Sequence, residues 1–156
     1  MISRMPSPAL LAFSTVFLRL ALGISFLSAV ADRFGLWGPF GQPHVAWGDF
    51  SHFTAYTAKL NWFLPASLIP AIAILSSIAE TVLGLLLIIG WKTRIAAFLS
   101  GLLLLVFALT MTFALGVKAP LDASVFSAAA GGFLLAAFFR FPFSLDELSS
   151  RPTRTL

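Results

Sequence analysis

Residues 65–90 read PASLIPAIAILSSIAETVLGLLLIIG and contain a single charged side chain, Glu80. A helix that crosses a bilayer needs about 20 mainly apolar residues, so this stretch is long enough to be a transmembrane span. Three other runs are also mainly apolar and long enough to cross a bilayer. The predicted spans are about 9–31, 66–90, 94–116 and 121–139. They fill most of the 156 residues, which predicts a single membrane domain, residues 1–156.

The composition supports the same fold class. Hydrophobic residues make up 59% of the chain and charged residues 10%, and a soluble domain of this length could not bury so much apolar surface. Short connections join the second, third and fourth spans, which makes these helices antiparallel neighbours. The sequence therefore predicts an all-α integral membrane protein, a four-transmembrane-helix antiparallel bundle. There is no cysteine, which excludes disulfides and thiolate chemistry carried by this chain.

The longest segment with polar residues is 33–65, which we expect to be the outer loop. Within it, Asp49 is suited to cap a short helix, and Phe53 and Thr57 recur at helical spacing. This pattern predicts an amphipathic helix at about 50–61. Two interpretations remain open: a surface helix that only packs, or a functional lid over the mouth of the bundle.

Basic residues at the span ends predict the orientation. One set of ends carries Arg4, Lys92, Arg94, Arg140, Arg151 and Arg154, and the other carries Arg33, Lys59 and Lys118. Cytoplasmic loops carry an excess of Lys and Arg, so we expect both termini in the cytoplasm and the loop outside. This placement also explains the net charge of +4 without nucleic acid, which is not expected as a partner.

Two ionisable residues lie inside the spans. Arg19 is ten residues from Ala9, and Glu80 is ten residues from Gly90, so each is about 15 Å from the inner end of its span. Charges in hydrocarbon face a partner or a wet cavity, which predicts a buried Arg19–Glu80 pair. Ser77 shares the helix face of Glu80. The pair is either a clasp that fixes helix register or a site that binds a polar head group or relays a proton.

A second candidate lies where the fourth span begins. Asp122 near Lys118 is either an acid favoured by the helix dipole or part of a polar mouth above Glu80. His44 and His52 match no metal-binding spacing, so no metal site is predicted. The 17 Phe residues either fill the core or line a pocket for a quinone or another prenyl lipid.

Several patches together resemble the DoxX family. They are Arg19-Leu-Ala-Leu-Gly23, Glu80 followed by Gly84-Leu-Leu-Leu-Ile-Ile-Gly90, Lys92-Thr-Arg94-Ile-Ala-Ala97, and Ser144-Leu-Asp146. The resemblance implies a small four-span protein of a bacterial or archaeal cytoplasmic membrane, and it carries over Arg19 and Glu80 as site residues. The family is named after a subunit of a thiosulfate:quinone oxidoreductase. The stretch Ser28-Ala-Val-Ala-Asp32-Arg33-Phe-Gly35 departs from its His-Gly-x-x-Lys pattern.

Two functions follow as hypotheses. The first is an accessory, non-autonomous subunit of a membrane redox or envelope-stress system, with a polar site at Arg19, Glu80, Ser77, Asp122 and Lys118. The alternative is a protein that binds or transports a small lipid-like molecule of the quinone type. A third interpretation, an enzyme that uses Glu80 as acid or base, stays open but is less favoured for the isolated chain, and we expect no intrinsic cofactor. Expected partners are the lipid bilayer and either a membrane oxidoreductase or a second copy of the chain.

Overall fold

The computed structural model describes residues 7–149, and within this range every regular element is a helix. The helices are α1 (Pro8–Arg33), α2 (Phe50–Leu60), α3 (Ile69–Ile89), α4 (Thr93–Leu115), α5 (Lys118–Asp122), α6 (Val125–Ala136) and α7 (Leu145–Ser149). Three segments are long and apolar enough to cross a membrane: α1, α4, and α3 together with the 3-10 turn that precedes it. The all-helical class and three of the predicted spans are therefore confirmed.

The fourth predicted span is not one continuous helix. The structure divides it into α5 and α6, so no single helix covers residues 121–139. The break lies at Ser124, whose φ of 55° falls in the left-handed region. A right-handed helix cannot continue through such a residue. The apolar helix that remains, α6, has 12 residues.

The tight turn between α3 and α4 is built around Gly90. This residue ends α3 with a φ of 75°, and its N–H donates to the Leu86 carbonyl at 2.8 Å. A Cβ at this position would lie 2.4 Å from Ser144 Cβ and 2.7 Å from Arg19 Nη1. Both the left-handed backbone and the close approach of other segments therefore require glycine here.

Glycines also bring the long helices together in two pairs. A Cβ on Gly23 of α1 would lie 2.9 Å from the Gly84 carbonyl oxygen of α3. A Cβ on Gly132 of α6 would lie 2.7 Å from the Gly101 backbone nitrogen of α4. Because small residues let helix backbones approach closely, α1 packs mainly on α3 and α4 mainly on α6. Space remains between the two pairs.

Candidate functional site

A buried ion pair joins the end of α1 to the middle of α3. Arg33 Nη2 donates to both carboxylate oxygens of Glu80, at 2.8 and 2.9 Å, and Arg33 Nη1 donates to Ser77 Oγ at 2.8 Å. The two charged side chains are only 5% and 2% exposed. The planar guanidinium fork suits a carboxylate, so each charge is neutralised inside the protein. Glu80 and Ser77 thus share a polar cluster, as predicted, but with a different arginine.

The predicted Arg19–Glu80 pair is wrong, and helix register explains why. Since Gly23 lies opposite Gly84, Arg19 and Glu80 are each four residues from this level, in opposite directions along the axis. Eight residues at 1.5 Å each separate them by about 12 Å. Side chains in a helix tilt toward its N-terminus, so Arg33 reaches back into the bundle to Glu80. Counting from the ends of the apolar runs placed the two helices in the wrong register.

Arg19 instead holds the C-terminal segment. Its Nη1 donates to the Pro142 carbonyl at 3.3 Å and its Nη2 to the Phe143 carbonyl at 2.7 Å. Next to it, the Asp146 carboxylate accepts the backbone N–H groups of Lys92 and Thr93 at 2.8 and 2.7 Å. A carboxylate at this position satisfies free N–H groups at the start of α4. Through this segment, Arg19 therefore joins α1 to the turn between α3 and α4.

Aromatic side chains of the 34–64 segment cover the ion pair. The Phe53 ring of α2 lies 3.7 Å from Arg33 Cζ, in a cation–π contact. The Trp47 ring packs against Phe53 at 5.5 Å and against Tyr56 at 4.5 Å between centroids. Burial raises the pKa of the Tyr56 hydroxyl. The helix expected at 50–61 forms at Phe50–Leu60 and packs over one end of the bundle.

Asp32 fixes the loop that carries Trp47. Its carboxylate accepts the backbone N–H groups of Ala46, Trp47 and Gly48 at 2.9, 3.1 and 3.4 Å. The adjacent residues Asp32 and Arg33, at the end of the first predicted span, are both buried. Asp32 orders the loop, and Arg33 binds Glu80.

A second carboxylate, Asp49, forms the N-cap of α2. It accepts the His52 backbone N–H at 2.9 Å, and His52 Nδ1 lies 2.8 Å from its other oxygen. These hydrogen bonds from the His52 backbone and ring hold the pKa of the Asp49 carboxyl below its usual value. The His52 ring stacks on Phe40 at 3.8 Å between centroids. His52 therefore stabilises the start of α2.

A cavity of about 800 Å³ lies beneath α2, between the α1–α3 pair and the α4–α6 pair. Most of its wall is apolar. The lining side chains that carry polar groups are Ser25, Arg33, Trp47, Tyr56, Thr57, Asn61, Ser76, Glu80, Thr110 and Ser124. Many of these lie on α2 or near the α2 end of the long helices. Toward the other end, Leu18 and Leu22 of α1, Leu104 of α4 and Ala128 of α6 line the wall.

The remaining predicted site residues lie away from this cavity wall. Lys118 and Asp122 form an ion pair with each other on α5, and both side chains are largely exposed, at 84% and 63%. Neither lines the cavity, although Ala123 and Ser124 directly after them do. The structure thus brings Glu80 and Ser77 together with Arg33, but places Arg19, Lys118 and Asp122 elsewhere.

Arg33 is the site residue that the sequence interpretation missed. A signal for it exists, because Arg19, Phe26 and Arg33 are spaced by seven residues and therefore share one face of α1. All three are buried. The loop residue Trp47 has no comparable signal, since its position depends on three hydrogen bonds to Asp32.

A family model described as DoxX matches residues 14–113, which is 100 of the 156 residues. The matched region includes α2, α3, nearly all of α4 and most of α1, and so contains both members of the ion pair. None of the curated proteins and none of the solved structures matches the chain.

Proposed function

The chain belongs to the DoxX family of membrane proteins, and we propose that it binds an elongated, mainly apolar molecule from the lipid phase. The observation that carries this proposal is the cavity beneath α2. Its volume of about 800 Å³ lies within the range of small-molecule sites, about 300–1,000 Å³. Its wall is apolar along most of its length, with the ion pair, hydroxyl and amide groups toward one end. Such a wall favours a ligand with an apolar tail and a polar head.

A quinone-type molecule has this distribution of groups. Its ring carbonyls would accept hydrogen bonds at the polar end, where the Tyr56 hydroxyl and the Asn61 amide line the wall. The Thr57 hydroxyl, also in this wall, already donates to the Phe53 carbonyl. Its hydrocarbon tail would contact the apolar side chains beside Leu18 and Leu22. The fit rests on the shape and polarity of the wall.

The state of Glu80 favours binding over catalysis. Both of its oxygens accept hydrogen bonds from Arg33, and the side chain is 2% exposed. A general base must reach the proton that it removes, and a carboxylate held in this way is poorly placed to do so. We therefore propose a binding protein that does not convert its ligand.

A cavity-filling substitution tests the proposal. Ala128→Phe adds a ring at the cavity wall and should displace the bound molecule, because the new side chain takes its space. Mass spectrometry of protein extracted in a mild detergent should find a small apolar molecule on the wild-type chain and less of it on this variant. Ala130→Phe is the matched control, since Ala130 is exposed on the same helix and does not line the cavity.

Two results would contradict the proposal. One is a wild-type protein that carries no small apolar molecule after mild extraction. The other is equal retention by the Ala128→Phe and Ala130→Phe variants when both have the wild-type unfolding temperature.

We also propose that α6 with its flanking residues is a fourth crossing, that both termini are cytoplasmic and that α2 lies outside. The burial of Arg33 supports this orientation, because it leaves only Lys59 and Lys118 as basic residues at the outer ends against six at the inner ends. In this cysteine-free chain, Gln42→Cys should react with an impermeant thiol reagent added from outside intact cells. Reaction only after the reagent reaches the cytoplasm would reverse the orientation.

The accessory role stays a prediction. A protein that binds a lipid-phase molecule without converting it needs another protein to use that molecule, and a membrane oxidoreductase would do so. Co-purification of a stoichiometric second protein in mild detergent would support this role over a self-contained carrier.

A further inference from the structure

Part of the cavity wall lies where α1 faces α6. Toward the inner end the two helices touch, because a Cβ on Gly131 of α6 would lie only 3.1 Å from Leu18 Cδ1 of α1. Ser25 is seven residues beyond Leu18, and Ser124 is seven residues before Gly131. At 3.6 residues per turn, Ser25 lies on the same face of α1 as Leu18, whereas Ser124 is the residue that directly precedes α6. Both serines lie nearer to α2 than the contact between Leu18 and Gly131 does.

At this outer level residues of both segments border the cavity. Ser25 and Ser124 both line the cavity and both are exposed, and the residues between them and the contact, Ala21 and Ala128, are small. The cavity wall is therefore formed by small side chains where α1 faces α6 at this level. We call this stretch of wall the α1–α6 portal and define it by Ala21, Ser25, Ser124 and Ala128.

The route beneath α2 is obstructed by comparison. Phe53 covers the Arg33 guanidinium at 3.7 Å, and Trp47 packs on Phe53. Asp32 holds the backbone on either side of Trp47 with three hydrogen bonds. Opening this route would break several contacts, whereas the four portal residues are small and none of them is buried.

We propose that the ligand of this cavity enters and leaves sideways, from the bilayer through the α1–α6 portal. This inference rests on the proposed function and deepens it, because it restricts the ligand to amphipathic molecules that are dissolved in the membrane. The tail of such a molecule passes between α1 and α6, and its polar head moves to the end of the cavity at Arg33 and Glu80.

A single cysteine in the cavity wall can report the route. Ser76→Cys places a thiol on the α3 side of the cavity in a chain that otherwise has none. The protein is reconstituted in liposomes and treated with pyrene maleimide, which partitions into lipid, or with a sulfonated maleimide, which stays in water. We expect the lipid-soluble reagent to react faster.

Substitutions at the portal then separate the routes. Adding Ser25→Trp should slow the reaction with pyrene maleimide about tenfold, equivalent to a barrier higher by about 1.4 kcal/mol. Ile24→Trp is the matched control, because Ile24 is 57% exposed on the same helix and does not line the cavity, and its rate should equal that of the parent. Ala21→Phe is a second portal variant if Ser25→Trp does not keep the parent's unfolding temperature.

Three outcomes would overturn the portal, and they can be told apart. Equal rates for the Ser25→Trp and Ile24→Trp variants refute the portal while the cavity and the proposed function stand. Faster reaction with the sulfonated reagent, unchanged by Ser25→Trp, means that the cavity opens to water beneath α2. No reaction of the Ser76→Cys thiol with either reagent means that the cavity is closed, and the proposed function then fails as well.

Discussion

Glu80→Gln is expected to lower the stability of the fold more than Arg33→Gln. Removing one partner of a buried ion pair leaves an uncompensated charge, which costs about 3–5 kcal/mol. A stranded carboxylate can reduce this cost by binding a proton, whereas a guanidinium effectively cannot lose one. In the Glu80→Gln variant the charged Arg33 stays between α1, α3 and the Phe53 ring, with no carboxylate to neutralise it.

Thermal unfolding in detergent measures this difference in stability. The double variant completes a double-mutant cycle. If the two side chains interact, Arg33→Gln combined with Glu80→Gln should recover part of the lost stability. Asp122→Asn is the control for losing a carboxylate, because its pair with Lys118 is exposed and such pairs contribute about 0–1 kcal/mol. Two single effects that simply add would show that Arg33 and Glu80 are energetically independent.

The second large effect is expected from Arg19→Gln. The substitution removes two hydrogen bonds from a charged donor to the Pro142 and Phe143 carbonyls, each worth about 1.5–3 kcal/mol. The loss falls on the segment that carries Asp146, which accepts N–H groups at the start of α4. We therefore expect this segment to open, with faster hydrogen exchange at residues 141–149 and at the first amides of α4.

Hydrogen exchange followed by mass spectrometry checks this expectation. Arg140→Gln removes a neighbouring exposed charge, lies just before the same segment, and should leave the exchange unchanged. Protection of residues 141–149 that is the same in the Arg19→Gln variant and the wild type would contradict the role of Arg19. A uniform change over all helices would point to global destabilisation instead.

The sequence predicts the helices of this fold well. Apolar length gives α1, α3 and α4 to within a few residues, and Asp49 with its aromatic spacing gives α2. These features are local, because hydrophobic periodicity and capping depend on residues close along the chain. The break at Ser124 could not be predicted in this way. Its backbone is left-handed, but the position holds a serine and not the glycine or proline that would indicate a helix end.

The site is harder to predict because it depends on register. Arg19 and Glu80 look paired when the helices are aligned at their ends, but the Gly23–Gly84 contact sets a different alignment. Arg33 looks like a boundary residue until the tilt of its side chain is considered. The seven-residue spacing of buried positions on α1 indicates locally that Arg33 faces the protein interior. Its partner, Glu80, depends on how α1 and α3 pack against each other and cannot be read from either helix alone.

In the proposed fourth crossing, the regular helix α6 is much shorter than α1. At 1.5 Å per residue, the 26 residues of α1 extend about 39 Å and the 12 residues of α6 about 18 Å, whereas the hydrocarbon core of a bilayer measures about 30 Å. Lipid beside a short helix is compressed, at a cost of a fraction of a kcal/mol for each Å of mismatch. Acyl-chain length should therefore influence this protein most on the side where α6 faces the lipid.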